Sequence, residues 1–76
     1  GGCAKPDDAG NNLGVGKYCT DSGGECEGQD ANFCIAAFSD ENYCTVILCQ
    51  DDSACGENAT CVKEGPGSAC VPNHCQ

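Results

Sequence analysis

Cysteine is the residue type with the most chemistry to offer in this sequence. There are ten in 76 residues: Cys3, Cys19, Cys26, Cys34, Cys44, Cys49, Cys55, Cys61, Cys70 and Cys75. Such residues can serve as nucleophiles, as metal ligands or as disulfide partners. A nucleophilic thiol needs to stay free and to have a base beside it. The single histidine, His74, lies next to Cys75 near the end of the chain, and no serine stands in a nucleophile-elbow context. The residue types therefore point to a non-enzymatic protein with no cofactor. Structural zinc sites favour two to four residues between ligand cysteines. Cys44/Cys49 and Cys70/Cys75 have four residues between them, but no Cys-x-x-Cys occurs. The even count and high density favour five disulfides. Ten cysteines allow about 945 pairings, so spacing alone leaves the connectivity open.

Oxygen ligands are the second resource. Asp and Glu number 12 against three Lys and no balancing Arg, for a net charge of −9. Calcium takes six to eight oxygen ligands. Candidate sets are Asp7/Asp8/Asn11/Asn12, Asp21/Glu25/Glu27/Asp30 and Asp51/Asp52/Glu57. Of these, Asp51, Asp52 and Glu57 are the calcium candidates retained, against the alternative that all three sets are solvated turns. None follows the EF-hand pattern. The acidity repels polyanions, which argues against nucleic acid and anionic membranes as partners. No apolar run is long enough for membrane insertion or for a signal peptide. Asn58-Ala59-Thr60 is an N-glycosylation sequon, with meaning only in a eukaryotic secreted protein.

The elements that must position these groups are short. Apart from Cys and Ala, the apolar side chains are few: Leu13, Val15, Tyr18, Phe33, Ile35, Phe38, Tyr43, Val46, Ile47, Leu48, Val62 and Val71. A core this small needs cross-links. Tyr18, Phe33, Phe38 and Tyr43 are expected mainly in the core rather than in an exposed patch. Residues 1–17 read as an irregular arm, dense in turn formers over 6–12 and tied back by Cys3. Residues 18–49 hold an apolar cluster at 31–38, either a short strand or one to two helical turns. The run 43–49, β-branched and aromatic, reads as a strand. Residues 50–76 suggest a hairpin, with 58–62 and 69–71 flanking the turn 65–68. The whole, residues 1–76, is expected to be one small disulfide-rich domain with short antiparallel β-strands and little helix. A faint internal duplication of Cys spacing and Gly-containing loops is visible, below the level of a repeat.

Cys49-Gln50-Asp51-Asp52-Ser53-Ala54-Cys55-Gly56-Glu57-Asn58-Ala59-Thr60-Cys61-Val62, with Gly67-Ser68-Ala69-Cys70 downstream, resembles an EGF-like module. It departs from that pattern in lacking a late Cys-x-Cys pair and the acidic lead-in of the calcium-binding variety. The resemblance implies bridges Cys49–Cys61 and Cys55–Cys70. Lys17-Tyr18-Cys19, Tyr43-Cys44-Thr45 and the stretch 49–62 are together similar to Cys-rich repeats of secreted bacterial surface proteins. The tail, Cys61-Val62-Lys63-Glu64-Gly65 to Cys70-Val71-Pro72-Asn73-His74-Cys75, resembles the end of trypsin-inhibitor-like domains. Only Lys5 and Lys63 fall in plausible reactive loops there, and Pro6 blocks cleavage after Lys5.

Together these features lead us to expect a secreted or cell-surface binding or adhesion module. Its disulfide-braced acidic loops would recognise an extracellular protein or glycan. A serine protease inhibitor and a calcium-dependent structural module are the alternative readings.

Overall fold

In the computed structural model, residues 4–20, 24–37 and 41–75 are described. No α-helix occurs among them, and the regular structure is two small antiparallel sheets and three 3-10 turns. In the first sheet β1 (Phe33–Ile35) pairs with β2 (Tyr43–Thr45). In the second β3 (Ala59–Glu64) pairs with β4 (Gly67–Pro72). The fold is the small disulfide-rich class that the cysteine count implies. No helix among the described residues is long and apolar enough to cross a membrane.

Four bridges join described residues: Cys19–Cys34, Cys26–Cys44, Cys49–Cys61 and Cys55–Cys70. Cys75 is also disulfide-bonded, whereas Cys3, on which the expected tie of the arm rests, lies outside the described residues. The last two of the four are the pairings that the EGF-like resemblance implies.

The bonding pattern turns the faint duplication into a structural repeat. Cys19, Cys26, Cys34 and Cys44 pair first with third and second with fourth, and so do Cys49, Cys55, Cys61 and Cys70. In each set the second cysteine closes a 3-10 turn, Gly24–Cys26 or Asp52–Cys55. The third and fourth face each other across a hairpin, Cys34 opposite Cys44 and Cys61 opposite Cys70. A buried alanine, Ala31 or Ala59, comes shortly before the third. The backbone N–H of the fourth donates to the chain just ahead of the first: Cys44 to Lys17 O and Cys70 to Val46 O, both at 2.9 Å. Each module thus gains an extra short pairing, Tyr18 with Tyr43 and Ile47 with Ala69.

The run 43–49, expected as one strand, is divided between the two modules. β2 ends at Thr45, and Ile47 then bridges to β4. Leu48, with φ of 58°, breaks the extended run. The cluster at 31–38 resolves as the strand Phe33–Ile35, with Phe38 outside the described residues. The hairpin strands β3 and β4 run longer than expected, leaving a two-residue turn at Gly65-Pro66 in which Gly65 takes a φ of 57°. That left-handed conformation suits glycine.

The core is built largely of sulfur. One buried cluster contains Cys19, Cys26, Cys44, Cys49, Cys55 and Cys70 with Val15, Ala31 and Ala59, so it takes residues from the arm and both modules. The arm is seated by side-chain amides. Asn11 Nδ2 donates to Cys55 O at 2.7 Å and Glu57 O at 2.8 Å, and Glu57 N donates to Asn12 Oδ1 at 2.8 Å. Close approach requires Gly56 (φ 79°), since a Cβ there would stand 2.7 Å from Asn12 Oδ1 and 2.9 Å from Asn11 Nδ2.

Candidate interaction surface

The cysteines are occupied with one another: no free cysteine is found among the described residues. The sulfurs of Cys19, Cys26 and Cys44 lie within 4.8 Å of one another, as do those of Cys49, Cys55 and Cys70. Each trio is buried and consists of bridged sulfurs, which lack the thiolate that binds zinc. They are stacked bridges within a core.

Four of the carboxylates have local structural partners. Asp51 caps the 3-10 turn Asp52–Cys55, accepting from Ser53 N at 3.0 Å and from Ser53 Oγ. These bonds from the Ser53 side chain and backbone hold its pKa below the usual value. Asp52 Oδ1 accepts from Cys61 N at 2.8 Å, tying the turn to β3. Asp8 Oδ2 accepts from Lys5 N at 2.9 Å. Glu25 accepts from Thr20 N and Thr20 Oγ1. Bonds from its own backbone N–H and from Thr20 lower its pKa. Among the described residues no trio of carboxylates converges as the sulfurs do, so Asp51, Asp52 and Glu57 are not gathered into one set. Asp21 lies outside the described residues.

The aromatic residues divide between core and surface. Tyr43 is fully buried, its hydroxyl 2.9 Å from Ala37 O and 3.0 Å from Cys70 O. Burial pushes its pKa up to about 12. Beside it the buried Thr45 donates to Cys70 O at 2.6 Å. These two hydroxyls join β2 to β4, and hence module to module. Tyr18 is half-buried. Phe33, expected in the core, is instead 46% exposed, Ile35 is 37% exposed and Leu48 is 68% exposed. Phe33 and Ile35 are alternate residues of β1, so they project from the same face. Their register partners Thr45 and Tyr43 are buried. The sheet face is therefore covered over β2 and open over β1. Exposed Glu27 and Asp30 precede this strand.

A second feature is an open cleft of about 430 Å3 between the arm and the C-terminal module. Asp8 and Glu57 line it together with Val15, Asn58, Pro72 and His74. Val15 and Pro72 are buried, whereas Glu57, Asn58 and His74 are exposed. His74 lies in the last 3-10 turn, Asn73–Cys75. Lys5 and Lys63 are exposed on the arm and on β3.

That Asn11 and Asn12 hold the arm is not legible in the residue pattern, because a polar residue in a turn-rich segment looks the same whether its amide faces water or a distant carbonyl. No family model, curated protein or solved structure matches the chain.

Proposed function

We propose that this protein is a secreted, non-enzymatic binding module that presents a rigid, acid-rimmed apolar face to an extracellular protein or glycan. The observation that carries this reading is the position of Phe33 and Ile35. In a chain with so few large apolar side chains, two stand together outside the core on a strand pinned by Cys34. Burying the exposed part of these side chains against a partner is favourable by roughly 0.5–1.5 kcal/mol each, a little under half the value for a fully exposed side chain. The bridges limit the ordering cost that binding imposes on a loop, since the strand is held before the partner arrives. The net charge of −9 favours a basic rim around the partner's apolar pocket. Multiple disulfides are typical of extracellular proteins, in keeping with a partner found there.

The test is a screen of the oxidised protein against arrayed cell-surface proteins and glycans. It runs in parallel with Phe33→Ser/Ile35→Ser, whose disulfide map is checked first. The expected result is a saturable partner lost in the double variant. Finding no partner, or one bound equally by the variant, overturns the reading.

A further inference from the structure

We infer that Asn58 is an acceptor for an asparagine-linked glycan, attached before the β3–β4 hairpin closes. The sequon Asn58-Ala59-Thr60 spans the turn that enters β3. Asn58 is exposed, with a φ of 56°. Asparagine tolerates this left-handed conformation better than most residues. Its backbone carbonyl accepts from Asn73 N at 2.8 Å. Its side-chain amide makes no hydrogen bond among the described residues, in contrast to Asn11 and Asn12. A substituent on Asn58 Nδ2 thus displaces no internal hydrogen bond. Asn58 is an exposed residue lining the open cleft, where solvent gives a glycan room.

The other half of the sequon dictates the timing. Transfer needs the Thr60 hydroxyl available to the transferase on an extended acceptor. In the folded protein this hydroxyl is donated to Asn73 Oδ1 at 2.7 Å. The next residue, Cys61, is bridged to Cys49. Both contacts lock the acceptor segment onto the rest of the C-terminal module. The reaction therefore belongs to the open chain, in competition with oxidation of Cys61. In it, Asn58 Nδ2 loses a proton and bonds to the anomeric carbon of a polyprenyl-pyrophosphate-linked oligosaccharide. The bond from that carbon to the pyrophosphate breaks, and the lipid pyrophosphate leaves. No redox change is involved. Once in place, the glycan covers the cleft lined by Asp8, Glu57 and His74 and leaves the cysteine core untouched.

The experiment is secretion of the full chain from a eukaryotic host, with intact mass read before and after peptide N-glycosidase treatment. We expect a glycoform that the enzyme removes, converting Asn58 to Asp. It should be absent in Thr60→Val and in Asn58→Asp, the latter keeping a residue that tolerates the left-handed turn. Asn73→Ala, which releases the Thr60 hydroxyl, should show a larger glycosylated fraction than the unaltered chain. An unmodified mass in both the unaltered chain and Asn73→Ala overturns the site. A glycoform whose fraction is the same in both overturns the competition with folding.

Discussion

The side chain of Asn11 uses its full hydrogen-bonding capacity. Its amide donates to Cys55 O and Glu57 O, and its carbonyl accepts from Leu13 N at 2.9 Å and Val15 N at 3.0 Å. A side-chain amide has two donors and two lone pairs, so nothing is left over. Each bond contributes about 1 kcal/mol net, and leaving backbone groups unpaired costs more. Asn11→Ala should therefore destabilise the protein by about 2–4 kcal/mol. Asn11→Asp should do so at least as much, because it turns an oxygen toward two carbonyls. Equal melting temperatures for both variants and the parent would show that the arm is held otherwise. Tyr43 makes a separate prediction in pH. Its folded pKa, about 12, lies above the ordinary tyrosine value of about 10. The folded state keeps the phenolic proton after the unfolded state has lost it. The contribution is thus fully present below about pH 10 and declines as pH rises toward 12. Prompt urea titrations at pH 9 and 11, before alkaline attack on the bridges, should show this loss. Tyr43→Phe should remove that part of the slope.

At the scale of the element, the important fact is that two bridges lie side by side in each module. The sulfur of Cys19 lies within 4.8 Å of those of Cys26 and Cys44. Cys34→Ser frees Cys19 next to an intact disulfide, which is the arrangement for thiol–disulfide exchange. Peptide mapping of that single variant should find a mixture containing Cys19 bonded to Cys26 or Cys44. Cys19→Ser/Cys34→Ser should keep Cys26–Cys44 alone and lose about 3 kcal/mol. A single, unshuffled map for Cys34→Ser would mean that packing keeps the freed sulfur from attack. The same elements show what a sequence reveals. Cysteine count, turn residues around Gly65-Pro66 and β-branched runs made the class and the second hairpin legible, because each acts locally. The repeat was faint because it lives in bonding order, while the intervals differ: sequence separations of 15 and 18 in one module become 12 and 15 in the other. The division of 43–49 depends on pairing with β4, a distant strand, and the exposure of Phe33 on what leaves β1 uncovered. Neither is encoded in the local pattern.

At the scale of the whole molecule the governing quantity is the charge of −9 on a body with a Cα radius of gyration of 10.6 Å. Like charges oppose compaction, and salt screens them over about 10 Å at 0.1 M. Added sodium chloride should raise the melting temperature, by about 4–8 °C for each kcal/mol of repulsion relieved. The rise should be modest, because the bridges keep the unfolded chain compact and it shares the same repulsion. Reducing the disulfides removes that cancellation and also much of the stability, so the comparison belongs to the oxidised protein. Calcium separates screening from ligation. If the acidic turns assembled a site, calcium would stabilise beyond magnesium at equal ionic strength. Asp51, Asp52, Asn11, Asn12 and Glu25 already accept hydrogen bonds within the fold. Recruiting them to a cation means giving up the caps and clamps that position the arm, the turns and β3. The expected outcome of parallel thermal melts is therefore the same temperature in the two ions. A calcium-specific rise would show that these oxygens rearrange around the ion, and would make the acidic loops a calcium-dependent structural element.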